Sequence, residues 1–190
     1  MVREKILEAV TQAMPSNRVV HTLGVEETAI SLSKNFALNL EDVQAAALLH
    51  DIVKFEDKNW LKQQILDNYL PTDLLEFHVE LWHSHVGAVV AKEQFGITDE
   101  TVLNAIRFHT TGRDGMSALE KVIYVADLLE PNRQFPGVDF LREQVNKDFH
   151  KGFEECVVHS LSYLIKKRVP IYPDSLACYN DVVKGRKREE

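Results

Sequence analysis

The sequence predicts an all-α fold in a single domain. Apolar residues recur at helical spacing along most of the 190 residues, whereas the alternation typical of strands is almost absent. Hydrophobic residues make up 45% and charged residues 27%, which is ordinary for a globular protein with a sizeable core. No repeat or linker divides the chain. We therefore expect a helical bundle over residues 1–183, followed by a charged, frayed tail over residues 184–190.

Helix boundaries in the first half of the chain follow from prolines, a capping residue and apolar spacing. Pro15 separates the first two helices, because proline cannot continue a helix. Asn39 is a good N-cap, and the carboxylates of Glu41 and Asp42 suit the positive end of the helix that it starts. Pro71 precedes a short helix. We expect helices over residues 3–14, from 16 or 17 to 32, from 39 onward, over 55–69 and over 74–80.

The second half of the chain carries equally local signals. Gly96 stands where a left-handed residue would end a helix, and Thr98 opens the next one. The run Ser117-Ala118-Leu119-Glu120 fits a capping box, and Pro131 stops the helix that it starts. A later segment reads as one long helix or two, with Gly152 as a candidate break. We expect helices over residues 82–95, from 98 onward, from 117 to 130 and over 138–168.

Charge and cysteine content narrow the classes of function. The net charge of −7 disfavours a dedicated nucleic-acid binder, although bound metal ions could still supply local positive charge for phosphates. Two isolated cysteines and a charged N-terminus without a long apolar run predict a cytoplasmic protein without disulfides or a signal peptide. No apolar stretch approaches the roughly 20 residues that cross a bilayer, so we expect no membrane partner. The oligomeric state is left open, a homodimer included.

Four residues on the apolar faces of separate predicted helices indicate a metal site. These are His21, His50, His109 and Asp127, and Asp51 follows His50 directly. Buried imidazoles and carboxylates are costly unless they are paired or bind a metal, and imidazole with carboxylate suits iron, manganese, cobalt, nickel or zinc. Any one such histidine is more often an ordinary core residue. The set together favours a metal site, because independent coincidences must multiply.

Longer motifs surround these residues and strengthen the interpretation. The set resembles the HD-domain metal phosphohydrolases, and more narrowly the symmetrical bis(5'-nucleosyl)-tetraphosphatases of the YqeK type. The resemblance covers about residues 15–180. It is carried by His21, Leu48-Leu49-His50-Asp51-Ile52-Val53-Lys54, Leu81-Trp82-His83, the run from Ala105 through His109-Thr110-Thr111-Gly112, the run from Val125 through Asp127 to Glu130-Pro131-Asn132-Arg133, and Pro170-Ile171-Tyr172-Pro173.

The resemblance implies a buried centre of two transition-metal ions, with iron favoured and manganese or cobalt as alternatives. By that carry-over His21, His50 and Asp127 hold one metal and His83 and His109 hold the other, while Asp51 bridges them. The spacing alone does not establish this division. His85 lies two residues from His83, which on a helix turns its side chain away from the site.

The expected chemistry is attack on phosphorus by water that a metal has activated. A bound metal lowers the pKa of water from about 15.7 toward roughly 7, so no serine or cysteine nucleophile is needed. Lys54 could stabilise charge on the transferred phosphoryl group, which would make it catalytic together with Asp51. Arg133 could fork onto a phosphate, although a structural pairing with Glu130 or Asp127 is also credible. Further candidate substrate ligands are Arg18, Thr110, Thr111, Gly112 and, for stacking on a base, Tyr172.

The resemblance implies hydrolysis of diadenosine tetraphosphate and related dinucleotides to two ADP. The residues by themselves justify only metal-assisted hydrolysis of a phosphoester or phosphoanhydride. Another HD-type nucleotidase or phosphodiesterase would share the same ligands. A nucleotide-binding module without turnover and a structural metalloprotein are the other classes left open, and both would show no catalysis with any added metal.

Overall fold

The computed structural model describes residues 2–186, and over that range it contains α-helices and short 3-10 helices but no strand. The prediction of an all-α fold is therefore confirmed. Two 3-10 helices, Thr72–Glu76 and Val79–Leu81, lie between the fourth and fifth α-helices. The α-helices are α1 (Val2–Ala13), α2 (Ser16–Ser33), α3 (Leu40–Leu49), α4 (Lys58–Asp67), α5 (Trp82–Phe95), α6 (Glu100–Arg107), α7 (Ala118–Leu129), α8 (Val138–Lys147), α9 (Phe149–Lys167) and α10 (Pro173–Arg186).

Most helix ends lie where capping chemistry predicts them. The side chain of Asn39 accepts hydrogen bonds from the first amides of α3, and Gly96 ends α5 in the left-handed conformation with φ +70°. Ser117 and Glu120 make both hydrogen bonds of a capping box at the start of α7. The start of α6 differs slightly, because Asp99 rather than Thr98 caps it. These caps satisfy amides that a helix start would otherwise leave without partners.

Two predicted helices are corrected by the structure. The α-helix expected over residues 74–80 is replaced by the two 3-10 helices, which Phe77 and His78 separate in extended conformation. The segment over residues 138–168 forms two helices, and the break lies at Asp148 rather than at Gly152. Gly152 serves packing instead, because a Cβ atom there would lie 2.4 Å from the Cα atom of Val145 in α8. The glycine therefore lets α8 and α9 approach closely.

Five helices surround the centre of the bundle. α2 packs against α3 and α7, α6 packs against α3, α5 and α7, and α1 covers α3. α8 and α9 pack on each other and against α7, while α10 lies on α9 and α4 on α5. The run of small and aliphatic residues before His50 is fully buried where α3 meets α2 and α6. This core brings the inner ends of α2, α3, α5, α6 and α7 together.

The C-terminal helix extends into the predicted tail. α10 includes residues 184–186, and the rest of the tail, residues 187–190, lies outside the described residues. Across the part of the chain that the structure describes, no helix is both long and apolar enough to cross a bilayer.

Candidate metal centre

The six predicted metal ligands lie together at the inner ends of the central helices. His21 lies in α2, His83 is the second residue of α5 and Asp127 lies in the last turns of α7, whereas the remaining three lie where helices end. His50 caps the C-terminus of α3, Asp51 follows it, and His109 lies in the turn just after α6. The cluster comprises His21, His50, Asp51, His83, His109 and Asp127, and Asp127 is its most exposed member.

Asp51 is fully buried at the middle of the cluster, and its two oxygens face different histidines. Oδ1 lies 2.9 Å from Nε2 of His83 and 3.6 Å from Nε2 of His109. Oδ2 lies 3.2 Å from Nε2 of His50 and 3.9 Å from Nε2 of His21. One carboxylate therefore touches two separate groups of imidazoles, one with each oxygen.

Two sets of three residues bring their nitrogen and oxygen atoms close enough to hold a metal. In the set of His21, His50 and Asp127, one ligand atom from each residue lies within 4.8 Å of the other two. The same is true of the set of His50, Asp51 and His109. His83 Nε2 lies 3.2 Å from His109 Nε2. Buried side chains of this N/O chemistry suit transition-metal ions.

Neighbouring acceptors set which nitrogen of each imidazole faces the cluster. His50 Nδ1 lies 2.7 Å from the carbonyl oxygen of Ala47, and His109 Nδ1 lies 2.8 Å from that of Ile106. A carbonyl oxygen can only accept, so each Nδ1 carries the hydrogen and the Nε2 lone pair of the neutral ring is free. An imidazole in this tautomer can bind a metal through the lone pair of Nε2.

Two ring nitrogens in the cluster are buried without a hydrogen-bond partner, namely Nε2 of His21 and Nε2 of His50. Asp127 Oδ1 lies 3.1 Å from Nε2 of His21, but the pair is not aligned as a hydrogen bond. A buried polar atom that is left unpaired costs about 1–3 kcal/mol. A cation between the rings and carboxylates would satisfy these nitrogens, so the residues present fit a metal centre.

The charges in the cluster also favour a cation. Although burial opposes ionisation, the neighbouring imidazoles hold the pKa of Asp51 well below its usual value, with His50, His109 and His83 contributing. The pKa of Asp127 is also held well below its usual value against the effect of burial, chiefly by His21, His50 and Arg133. Burial lowers the pKa of His109 to about 4, which leaves that ring neutral at pH 7. Although burial acts to lower it, the pKa of His50 is raised by Asp51 and Asp127. Two carboxylates thus remain ionised and favour positive charge at the centre of the cluster.

Three basic residues predicted to bind phosphate contact the cluster. Arg18 donates from Nε to Asp51 Oδ2 at 2.9 Å and from a second guanidinium nitrogen to the same oxygen. Lys54 Nζ lies 3.3 Å from Asp51 Oδ1, and its side chain is 23% exposed. Arg133 donates to both the main chain and the carboxylate of Asp127, at 2.9 and 2.6 Å. The structural pairing considered for Arg133 is therefore present.

The other predicted substrate ligands are placed less uniformly. Thr110 is half-buried with its hydroxyl 3.3 Å from that of Ser84, whereas the Thr111 side chain is buried and its oxygen has no partner among the described residues. Gly112 has φ +64°, and a Cβ there would lie 2.6 Å from Cys178 Sγ, so backbone conformation and packing both require the glycine. Tyr172 is 6% exposed and donates its hydroxyl hydrogen to Asp73. Their contacts with a substrate stay predictions.

Glu130 is a functional residue that sequence reasoning missed. Its carboxylate is 1% exposed, and Oε1 lies 3.1 Å from Nδ1 of His21. Oε2 accepts from the main-chain and side-chain nitrogens of Asn132, at 2.7 and 3.0 Å. Gly24 makes room for this carboxylate, because a Cβ there would lie 2.6 Å from Oε2. Glu130 thereby orients His21 as carbonyls orient His50 and His109. The signal in the sequence was its place in the run Glu130-Pro131-Asn132-Arg133, which carried the family resemblance but gave Glu130 no role beside His21.

Comparisons with known proteins identify a family model, two named relatives and a solved structure that are similar to this chain. The HD domain model matches residues 18–132. A protein of Bacillus subtilis (strain 168), named bis(5'-nucleosyl)-tetraphosphatase, symmetrical, is 43% identical over 97% of this chain and 100% of its own length. A protein of the same name from Halalkalibacterium halodurans is 44% identical over 98% of this chain and 100% of its own. A solved structure from Clostridium acetobutylicum, described as a predicted HD superfamily hydrolase involved in NAD metabolism, has a TM-score of 0.89 and 33% identity, and the match covers 95% of this chain and 96% of that one.

Proposed function

The chain belongs to the HD-domain family and, within it, to the symmetrical bis(5'-nucleosyl)-tetraphosphatases, and from this premise we propose that it hydrolyses diadenosine tetraphosphate and related dinucleoside polyphosphates symmetrically. Water adds to one of the two central phosphorus atoms, the bridging P–O bond breaks, and two ADP molecules result from the adenine substrate. The chain is thus a hydrolase that acts on an acid anhydride.

The observation that carries the proposal is the position of Asp51 between two groups of imidazoles. Its two oxygens face His83 and His109 on one side and His50 and His21 on the other. This arrangement supports a centre of two metals with Asp51 as the shared ligand. His21, His50 and Asp127 would hold one ion, and His83 and His109 would hold the other.

The metals are proposed to be transition-metal ions, with iron favoured and manganese or cobalt as alternatives. The absence of a cysteine among the ligands supports an N/O site of this kind, because thiolates select other metals. When bound, such ions would lower the pKa of water to about 7 and neutralise charge on the phosphates.

Basic residues around the cluster are proposed to bind the phosphates of the substrate and to hold the metal ligands in place. Lys54 keeps its ammonium group within 3.3 Å of Asp51 while its side chain stays partly exposed, so it can approach a phosphoryl oxygen that enters the site. A cation in that position stabilises the negative charge that grows in the transition state. Arg18 is 17% exposed and offers a guanidinium group on the other oxygen of Asp51. Arg133 holds the main chain and carboxylate of Asp127 and thereby fixes that ligand.

We propose a cytoplasmic location for this activity. Cys156 and Cys178 are both unpaired and buried, which is consistent with a reducing compartment.

The test is chromatography of the products formed from diadenosine tetraphosphate by purified protein. Iron, manganese, cobalt and magnesium are supplied in turn, and Asp51→Asn is the control variant. We expect ADP as the sole nucleotide product and its loss in the variant. AMP together with ATP would reject symmetrical cleavage, and no product from folded, metal-loaded protein would reject hydrolysis of this substrate.

A further inference from the structure

A cleft beside the metal cluster is not used by the proposed chemistry. It has a volume of about 530 Å³, within the range of roughly 300–1,000 Å³ for small-molecule sites. Its walls come from the segment after α4, from α5, from the end of α6 with the turn that follows, and from the start of α10. The lining side chains that matter here are Tyr69, His85, Phe108, Arg113, Tyr172 and Asp174.

His85 forms the buried wall of this cleft. Its side chain is 2% exposed, and its ring packs edge-on against Phe108 and Tyr172 at centroid distances of 5.9 and 6.3 Å. Its Nδ1 lies 3.4 Å from the hydroxyl of Ser84, whereas no residue in the described range hydrogen-bonds Nε2. A buried imidazole that lines a cleft with one nitrogen unbonded is placed to bond a ligand.

Tyr69 stands at the opening of the cleft, just after the end of α4. Its backbone has φ +53°, because it closes that helix: Tyr69 N and Leu70 N donate to the carbonyl oxygens of Leu66 and Ile65, at 3.3 and 3.0 Å. This position leaves the Tyr69 side chain 95% exposed at the edge of the cleft. The Tyr69 ring is free to cover a flat molecule in the cleft.

The charges in the cleft decide which part of a substrate it accepts. Arg113 is held by Glu120 through two hydrogen bonds of 2.6 and 3.0 Å, so its charge is already compensated. Arg107 also lines the cleft, with a carboxylate oxygen of Glu100 3.9 Å from its guanidinium group. Asp114 and Asp174 add two carboxylates, and Asp73 accepts a hydrogen bond from the hydroxyl of Tyr172. Positive and negative side chains are therefore balanced in the cleft, and its carboxylates can accept hydrogen bonds from the hydroxyls and amino groups of an uncharged aromatic group.

The cleft and the metal cluster meet at the turn after α6. Phe108, which lines the cleft, immediately precedes His109, whereas the side chains of His83 and His85 leave α5 on different sides. The hydroxyl of Ser84 lies 3.4 Å from His85 Nδ1 and 3.3 Å from the hydroxyl of Thr110. A phosphate chain at the cluster could thus end in a nucleoside in the cleft.

We propose that this cleft binds the purine nucleoside at one end of the substrate, with Tyr69 stacking on the base and Nε2 of His85 hydrogen-bonding it. The proposal rests on the proposed function for the identity of the ligand. It assigns His85 and Tyr69 to substrate binding rather than to the metal centre. The aromatic lining of the cleft supplies stacking surface, which is worth about 5- to 150-fold in affinity for each base.

The test uses two variants and a matched control. Tyr69→Ala removes an exposed ring without disturbing the core, and His85→Gln removes the imidazole. Tyr163→Ala, which removes a 56% exposed tyrosine on α9, is the control. We expect both cleft variants to raise the KM for diadenosine tetraphosphate about 5- to 150-fold with unchanged metal content, while kcat changes less and the control resembles wild type.

Adenosine binding separates this proposal from the proposed function. In NMR titrations, adenosine should shift the signals of Tyr69 and His85 in wild type and equally in Asp51→Asn, because neither phosphate nor turnover is involved. If these shifts occur but diadenosine tetraphosphate gives no ADP, the cleft stands and the proposed function fails. If ADP forms but both cleft variants match the control in KM and adenosine affinity, the cleft proposal is wrong and the proposed function stands.

Discussion

Replacing Glu130 by glutamine changes one atom of a buried side chain and should reverse the tautomer of a metal ligand. In the wild type, one oxygen of Glu130 faces Nδ1 of His21 and the other accepts two hydrogen bonds from Asn132. A glutamine has one oxygen and one NH₂ group. The glutamine oxygen should stay on the side of Asn132, because the opposite orientation would place the glutamine NH₂ group against the two nitrogen donors of Asn132. The NH₂ group then faces His21 Nδ1.

Two donors cannot bond each other, so His21 must respond. Its hydrogen moves from Nδ1 to Nε2, the nitrogen that faces the metal cluster. The alternative is to keep an unsatisfied buried donor, which costs about 1–3 kcal/mol. In either case metal binding must overcome that cost, which corresponds to a loss of affinity of about 5- to 150-fold. This range overlaps the roughly 10- to 100-fold effect typical of residues that orient metal ligands.

Three measurements test the reasoning on Glu130→Gln. Competition with a chelator gives the metal affinity, ¹⁵N NMR of the imidazoles in metal-free protein gives the tautomer of His21, and thermal unfolding gives the stability. Glu120→Gln is a matched control, because Glu120 is buried like Glu130 but lies in the first turn of α7, where it pairs with Arg113. We expect the control to lose stability while it retains metal affinity.

The reasoning is refuted if Glu130→Gln binds metal as tightly as wild type while its His21 keeps the hydrogen on Nδ1. It is also refuted if the control loses metal affinity to the same degree, since the effect would then be one of general stability.

Three further predictions follow from burial and backbone conformation. Gly112→Ala should lower the free energy of unfolding by more than about 1 kcal/mol in urea titrations, because φ is +64° and the new Cβ would lie 2.6 Å from Cys178 Sγ; unchanged stability would contradict this. Metal-free protein should lose stability as the pH falls from about 6.5 to 4, because burial lowers the pKa of His85 and of His109 to about 4 while the unfolded chain takes up those protons from about pH 6.5 downward. The loss is on the order of 3 kcal/mol for each histidine, and a flat stability profile over this pH range would refute it. Native protein should react slowly with iodoacetamide at pH 8, because burial raises the pKa of Cys156 and of Cys178 to about 12; rapid labelling before unfolding, read by mass spectrometry, would contradict this.

The convergence of the candidate metal ligands could be predicted in part from the local sequence, although their binding of a metal stays a prediction. His21, His50 and Asp127 continue apolar stripes, where a polar residue is conspicuous. Glu130 could not be found in this way. Its role depends on a contact with a residue 109 positions earlier and on the missing Cβ of Gly24, and neither appears in any local pattern.

Most helix boundaries could also be predicted from the local sequence. Capping residues such as Asn39 and Ser117 act within three residues, and the structure places both as expected. Gly152 was misinterpreted because a glycine in a helical segment signals either a break or a close contact, and only the packing of α8 decides between them. The segment over residues 74–80 is too short for helical spacing to distinguish an α-helix from the 3-10 helices found there.

The ligands of the cluster are spread from residue 21 to residue 127 and come from five helices or their ends. Two metals bound as proposed would close loops in the chain, and the loop from His21 to Asp127 would span more than a hundred residues; such cross-links act on the unfolded state by restricting its conformations. Loss of the metal would therefore loosen five helices at once rather than empty a single pocket. A cell short of the metal would then hold a chain that opens more often and is degraded faster by proteases, so that metal supply would set the abundance of the enzyme as well as its activity.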